Sequence, residues 1–512
     1  MATFVPRSEA MAKSTEPGGF LKYLPSVALC GVAVLLVTAL WLVRTLGSAY
    51  WLDETGTYWA TNGGLKEIPA RCVVFPMSLL YAWLILAVRT LFGSGEAVAR
   101  IPSVLSIALA VYVMFRNVRV RWGSNAAWIA AAVFVSIPEV TSLAGDARPY
   151  ALGLLFTVLS TSLLLRFFQR PSYQSAALYA LAAALMVHMQ LLYGAVLLAH
   201  LLYAALQLRR GRLPNIGYVA TAVALLAVLM IPVALQLRSM AGHSGSHSFA
   251  PMPGAYDLVS AYFPIPVMTA ILGAAIAGIL LTADSQSAPS RPSDELVLAG
   301  LVAFIPPFLC FLASRLTHLG LFLGRYFVGY AAGLAVCSGV LLASVRSGRA
   351  ARAVMISIAL FQLTSLGLLI RNRAQGHTMH RGDWAAAVKF VDQNTAADGA
   401  PALVRSQYIE SDFNPIEPVN DNPMFSQFAP YPSRSHLAGL RATLNEAEVE
   451  RTLNGVLSGS GFPGRFLLMS YDSPKPLAPL VTFLAGHLGP AFSLRELGDF
   501  DGIHVLEFRK NR

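Results

Sequence analysis

Phe75-Pro-Met-Ser-Leu-Leu-Tyr-Ala-Trp-Leu-Ile-Leu-Ala-Val-Arg-Thr-Leu-Phe92 is an apolar run whose reading decides how the chain is threaded. Eleven other apolar windows are long enough to span a bilayer, near 22–43, 98–115, 124–141, 149–166, 174–190, 192–208, 215–236, 264–282, 296–313, 321–343 and 352–370. Four short connections are rich in arginine: Arg116/Arg119/Arg121, Arg166/Arg170, Arg209/Arg210/Arg212 and Arg346/Arg349/Arg352. The connections between them carry few: Arg148, none around Gln190, Arg238, then Arg315. The positive-inside rule puts the arginine-rich set in the cytoplasm with the basic N-terminus (Arg7, Lys13, Lys22). These placements agree only if an even number of crossings separates the N-terminus from Arg116, so one of the first three windows does not cross. The run 75–92 is the one that fits. It begins at Phe75-Pro76, carries Arg89 and follows a loop of polar and turn residues, so it reads as a juxtamembrane helix on the outer surface. The alternative is that it crosses and the shorter window 192–208 does not. The fold expected is a polytopic α-helical membrane protein with about eleven spans.

The wider composition agrees. Of 512 residues 55% are hydrophobic and 13% charged, with a mean hydropathy of +0.56, about half the charge of a soluble domain. Residues 1–371 hold 25 basic and 12 acidic side chains, while 372–512 hold 13 and 15. The positive charge therefore belongs to the membrane part and says nothing of nucleic acid. The chain divides into a transmembrane part, 1–371, whose first outer loop covers 44–97, and a soluble extracytoplasmic domain, 372–512. The basic N-terminus ahead of Leu24–Leu40 reads as an uncleaved signal anchor. Cys30, Cys310 and Cys337 lie in apolar runs and Cys72 stands alone, so there is no disulfide framework or CxxC pair.

With this threading, nearly every acidic side chain of the membrane part outside the N-terminus and the 284–295 loop lies on the outer face, where charge at membrane depth marks a pathway or a site. Asp53 and Glu54 follow the first span within Ala49-Tyr-Trp-Leu-Asp-Glu-Thr-Gly-Thr-Tyr-Trp-Ala60, and Trp51, Tyr58 and Trp59 suit the membrane–water interface. A carboxylate there can act as general base on a hydroxyl or help bind a cation; Asp53 can equally cap the helix that follows. Arg148, in Asp146-Ala-Arg-Pro-Tyr150, sits where two spans meet the outer leaflet. A guanidinium can grip a phosphate there, or snorkel to headgroups, or pair with Asp146. Arg325-Tyr326 lies inside the apolar run 319–343, where an arginine needs an anionic partner, a substrate or Asp53 or Glu54. Lys66, Arg71, Arg89 and Arg100 add positive charge that would attract an anionic headgroup. His188 at a span end, and His243 and His247 in a Gly/Ser segment, are either substrate or metal contacts or plain loop residues. No P-loop or GxGxxG is present, which leaves nucleotide-driven chemistry without support.

In the tail, Trp384–Asn394 and Pro479–Leu488 read as helices, and Ala402–Val404, Phe466–Met469 and Ile503–Phe508 as strands, giving a small α/β domain. Acceptor docking, a lid and a structural cover are all open to it.

Taken in order, the Asp53-Glu54 pair after the first span, the apolar helix ending in Phe92-Gly93, Glu96-Ala-Val-Ala-Arg-Ile-Pro-Ser103, Asp146-Ala-Arg-Pro-Tyr150 and Arg325-Tyr326 resemble the GT-C membrane glycosyltransferases. The nearest groups are family 39, the protein O-mannosyltransferases, with the bacterial lipid A aminoarabinose transferases and Rgt-type sugar transferases. The likeness covers roughly residues 22 to 345. It implies inverting transfer of a sugar from a polyprenyl-phosphate donor to an acceptor hydroxyl, on protein, lipid or polysaccharide, outside the cytoplasmic membrane. By the same likeness Asp53 is the base, Glu54 orients the acceptor or assists a cation, and Arg148, Arg325 and Arg100 hold the lipid phosphate. Lys66 and Tyr326 are further candidates for the phosphate, and Asp146, Tyr150, His188, His243 and His247 for substrate. No cofactor is required, and a divalent cation is compatible. Lys66 is followed by Glu67-Ile68-Pro69, where the aminoarabinose transferases carry a Lys-Pro pair. Two rival readings are a polyprenol-linked sugar flippase, for which internal repeats and midplane charges are missing, and a glycan-binding scaffold, which leaves Asp53 and Arg325 unexplained.

Overall fold

A computed structural model describes residues 26–240, 251–280, 293–344, 348–375, 377, 382–412, 419, 422–459, 461–472 and 476–511. The chain opens with α1 (Val27–Leu46) and three short helices, α2 (Leu52–Asn62), α3 (Ile68–Val74) and α4 (Leu79–Phe92). The bundle continues through α5 (Glu96–Trp122), α6 (Ser124–Ser136), α7 (Pro138–Ala144), α8 (Tyr150–Gln169), α9 (Tyr173–Met189), α10 (Gly194–Arg209) and α11 (Ile216–Leu229). It ends with α12 (Ile231–Met240), α13 (Ala255–Tyr262), α14 (Ile265–Leu280), α15 (Asp294–Thr317), α16 (Gly324–Phe327), α17 (Tyr330–Ala343) and α18 (Gly348–Ala374).

Each of the eleven apolar windows holds a helix. By length and composition, seven stretches among the described residues can each cross a membrane, and up to nine if α6–α7, bent by 71°, and α13–α14, bent by 60°, each count as one span. The two remaining windows hold shorter helices, α9 with 17 residues and α17 with 14. The α6–α7 break falls at Ile137-Pro138, where proline cannot supply the N–H that would continue the helix. α4 is 14 residues, about 21 Å long against a hydrocarbon core of about 30 Å. It starts at a serine cap, Ser78, and packs on α2, α3, α5 and α9.

Lipid offers no hydrophobic drive for helices to associate, so close approach of small residues holds the bundle. α17 is wedged between α6 and α15: a Cβ on Gly333 would stand 2.3 Å from the Ala299 carbonyl oxygen, and one on Gly339 2.6 Å from that of Ala126. α1 is tied to α6 and α18 by Gln362, whose amide donates to Thr38 Oγ1 and to the Val135 carbonyl, both at 3.1 Å.

The tail forms α19 (Trp384–Thr395), β1 (Ala402–Arg405), β2 (Leu437–Leu440), α20 (Glu446–Leu457), β3 (Arg465–Tyr471), α21 (Ala478–Leu488), β4 (Phe492–Asp499) and β5 (Ile503–Lys510). The sheet order is β2-β1-β3-β5-β4, parallel on the first three strands and antiparallel where β5 meets β3 and β4. Alternation along the strands gives it two apolar faces. Leu403, Phe466, Leu468 and Phe508 pack with Leu453 of α20 and Leu480 and Leu484 of α21. Val404, Leu467, Met469, Ile503 and Val505 pack with α19 and, in the same core, with Trp59, Ile68, Phe75, Tyr81 and Ile85 of the first outer loop.

Gly333→Val puts two methyl groups where a carbonyl already stands. The expected outcome is a loss of about 1–3 kcal/mol, read as a lower midpoint of thermal unfolding in detergent, with Gly367→Val, which meets nothing within 4 Å at its Cβ, as the control.

Candidate functional site

α2 begins one residue before the acidic pair, with Trp51 as its cap residue, so Asp53 is already inside the first turn. Successive residues of a helix are turned by about 100°, and the two carboxylates part company. Glu54 curls back and accepts from the Trp51 backbone N–H at 3.2 Å, the N3 half of a capping box. It is buried against Arg100 of α5, which is only 1% exposed. Arg100 Nε donates to Glu54 Oε1 at 2.8 Å and a second N–H donates to Oε2, while the Ala147 backbone N–H reaches Oε1 at 2.7 Å. The other Arg100 donors go to the end of α1: the carbonyls of Leu46 (2.8 Å), Ser48 (2.7 Å) and Ala49 (3.2 Å). Both oxygens of Glu54 each accept two bonds, and every guanidinium nitrogen of Arg100 has an acceptor.

Asp53 faces the other way and keeps 18% of its side chain exposed, with Arg325 Nη1 at 3.0 Å from Oδ2. Arg148 joins from the α7–α8 connection, donating from Nη1 to the Asp53 carbonyl and to Thr57 Oγ1, each at 3.2 Å. Its guanidinium lies 5.3 Å from the Phe75 ring and 5.7 Å from Tyr150, and its buried Nε has no hydrogen-bond partner among the described residues. Phe75 fits because Gly56 has no side chain: a Cβ there would stand 2.1 Å from the ring. Arg325 is flanked by the rings of Trp51 and Tyr326 at 5.6 and 5.5 Å. One carboxylate and two guanidiniums thus meet beside the first turn of α2, and Tyr150 and Tyr326 line the arginines.

Asp146 is buried beside this centre and accepts from Trp51 Nε1, while its own carbonyl accepts from Ser103 Oγ at 2.6 Å. Burial, and then the nearby Glu54 carboxylate, push its carboxyl well above the ordinary range. Of the remaining candidates, Lys66 is exposed in the turn between α2 and α3. His188 bonds the Leu229 carbonyl at 2.8 Å and so ties α9 to α11. His243 and His247 lie outside the described residues. Arg71 and Arg89, grouped by sequence with the headgroup-attracting charges, instead close the end of α2, donating to the carbonyls of Trp59 (2.9 Å) and Tyr58 (3.1 Å). Among the described residues no group of three His, Cys, Asp or Glu side chains is placed to hold a metal ion.

Four contributors escaped the sequence reading. Thr57 helps seat Arg148. Glu139 of α7 packs against Gly324, with its Oε2 buried and without a hydrogen-bond partner among the described residues; its signal was an acid inside an apolar window. Tyr408 and Tyr431 reach the outer loop from the tail, and nothing in their sequence surroundings points there.

A family model described as dolichyl-phosphate-mannose-protein mannosyltransferase matches residues 76–235. The structure resembles that of ArnT from Cupriavidus metallidurans in the apo state, with TM-score 0.53 and 15% identity over 94% of this chain and 97% of that one. It also resembles ArnT bound to undecaprenyl phosphate, with TM-score 0.54 and 14% identity over the same shares, 94% and 97%. A sequence comparison with curated proteins finds no match. The chain shares the fold of these structures: a polytopic helical membrane protein with a small C-terminal sheet domain.

Removing one partner of a buried ion pair leaves the other uncompensated, at a cost of about 3–5 kcal/mol. Glu54→Ala is therefore expected to lower the thermal unfolding midpoint sharply, and the double variant Glu54→Ala/Arg100→Met to recover part of the loss. Asp146 gives a pH signature. Its raised native pKa means that the stability it contributes is complete below the unfolded carboxyl value of about 3.9. That contribution is lost as pH climbs through the native value. Asp146→Asn should flatten this decline in an unfolding series from acid to neutral pH while keeping the Trp51 bond.

Proposed function

We propose that the chain is a glycosyltransferase that moves a sugar, with inversion, from a polyprenyl-phosphate donor to an acceptor hydroxyl at the outer face of the cytoplasmic membrane. In this reading the N-terminus is cytoplasmic, the tail domain is outside, and α4 lies on the outer surface. The observation that carries the proposal is the meeting of two guanidiniums at Asp53, Arg325 on its partly exposed carboxylate and Arg148 on its backbone carbonyl, in a GT-C fold. The undecaprenyl phosphate held by ArnT supports a lipid phosphate as the leaving group here.

The chemistry follows from the charges. The bond from the anomeric carbon to the phosphate oxygen breaks, and negative charge builds on a phosphate whose departure fixed cations stabilise. Arg148 has an unused Nε, and the Arg325–Asp53 pair, about a fifth exposed, is open to exchange. An arriving phosphate takes Arg325 as its partner and frees the Asp53 carboxylate to accept the acceptor's hydroxyl proton as oxygen attacks carbon. Glu54 and Arg100, saturated and buried, are assigned to the framework in place of the acceptor and phosphate roles that the family likeness implies. No nucleotide is needed, because the lipid carrier already holds the activated sugar.

The test is transfer by the full chain in membranes containing the cell's own lipid-linked sugars. Asp53→Asn is expected to lower turnover at least about a hundredfold with undecaprenyl phosphate binding retained. Arg325→Ala is expected to weaken that binding. Normal turnover of the Asp53→Asn protein removes the base assignment.

A further inference from the structure

We propose that the C-terminal domain is a working part of the transfer site, in which Tyr408 and Tyr431 act as positioning residues that clamp the backbone on either side of Asp53. The proposal rests on the reading of Asp53 as the base.

Tyr431 lies in the segment leading into β2, and its hydroxyl accepts the Tyr50 backbone N–H at 2.8 Å while donating to Glu96 Oε1 at 2.8 Å. Tyr408 lies just past β1. Its hydroxyl donates to the Leu52 carbonyl at 2.7 Å, and that carbonyl belongs to the same peptide unit as the Asp53 nitrogen. Ser426 shares a bond with the Tyr408 hydroxyl at 2.9 Å and reaches Thr55 Oγ1 at 3.3 Å. The stretch from Tyr50 to Thr55 is therefore held at three points by the tail, with Asp53 in the middle. The domain does not need these hydroxyls to adhere, because a continuous apolar core already joins the sheet to α2, α3 and α4. A buried hydroxyl must instead be matched to specific partners, and here they include two backbone groups flanking the acid, the Leu52 carbonyl that accepts from Tyr408 and the Tyr50 N–H that donates to Tyr431. Burial pushes the Tyr408 phenol pKa upward, so it remains a donor through the working pH range.

The Tyr408 ring has a second line of action. It meets Phe75 edge-on with centroids 5.7 Å apart, and Phe75 is a platform beneath the Arg148 guanidinium. The hydroxyl thus bears on the base and the ring on the phosphate side. The two can be separated: Tyr408→Phe removes only the first, and Tyr408→Leu removes both.

The experiment uses the full chain in nanodiscs and reads amide hydrogen exchange over residues 49–57, unfolding temperature, transfer with native lipid-linked sugars, and competition by undecaprenyl phosphate. Tyr431→Phe is expected to speed exchange at the Tyr50 amide about tenfold or more. Tyr408→Phe/Tyr431→Phe should lower maximal transfer about ten- to a hundredfold, with the inhibition constant of undecaprenyl phosphate within about twofold of the parent and the unfolding midpoint unchanged. Tyr408→Leu should in addition weaken undecaprenyl phosphate. Exchange and transfer at parental levels in the double variant overturn the clamp. So does a fall in transfer that comes only with a lower unfolding midpoint and weaker competition, because that pattern is general loosening. If Asp53→Asn itself keeps transferring, the base reading has failed, and the exchange measurement still decides whether the clamp exists.

Discussion

Burying an arginine and a glutamate out of water costs several kcal/mol for each ion, and their attraction repays this only when the remaining donors and acceptors are satisfied. Arg100 and Glu54 meet that condition by gathering their partners from four segments. These are the end of α1, the start of α2, the first turns of α5, and Ala147 in the connection between α7 and α8. The pair therefore does more than join two side chains. It fixes how the chain turns after its first crossing and brings the Asp146–Arg148 loop against α2. Asp53 gains its position from its neighbour: with Glu54 turned inward and saturated, the adjacent carboxylate is directed by helical pitch toward Arg325.

Two kinds of information in the sequence account for what could be read from it. Hydropathy located the helices of the bundle, because membrane thickness acts on every segment separately. Short apolar runs marked β1, β3 and β5, which are largely buried on both faces. β2 and β4 escaped because they are the two edge strands, β2 half-buried and interrupted by Gly439 and β4 with mostly exposed side chains, which spares them a strong apolar pattern. α20 did carry a signal, an Asn445 cap with Glu446 and Glu448 ahead of Val449 and Leu453. The site was legible as a group but not by member. Arg71, Arg89, Arg100, Arg148 and Arg325 are alike in composition and loop context, yet three of them bond carbonyls at helix ends while two face Asp53. That sorting depends on which helix end each guanidinium can reach, a tertiary property with no local mark.

The first outer loop could not hold its shape alone. α2, α3 and α4 are short, and their apolar residues Trp59, Ile68, Phe75, Tyr81 and Ile85 would stand partly bare without the sheet that covers them. Sequence divides the chain at the last spanning helix, but this core runs across that division, so the loop and the tail stabilise each other.

The shared core also explains why the two site arginines are held so differently. Arg148 rests between aromatic rings, one of them the core residue Phe75, and on a backbone carbonyl, so its place is set by packing. Arg325 stands on a short helix between α15 and α17 and faces Asp53 through an ion pair that water can reach. Exposed pairs are weak and exchange partners readily, whereas a packed guanidinium is preorganised. In the proposed reaction, an anion entering beside α2 meets one cation already fixed by packing and one that must let go of the carboxylate to receive it. In that proposal the asymmetry couples arrival of the anion to release of Asp53.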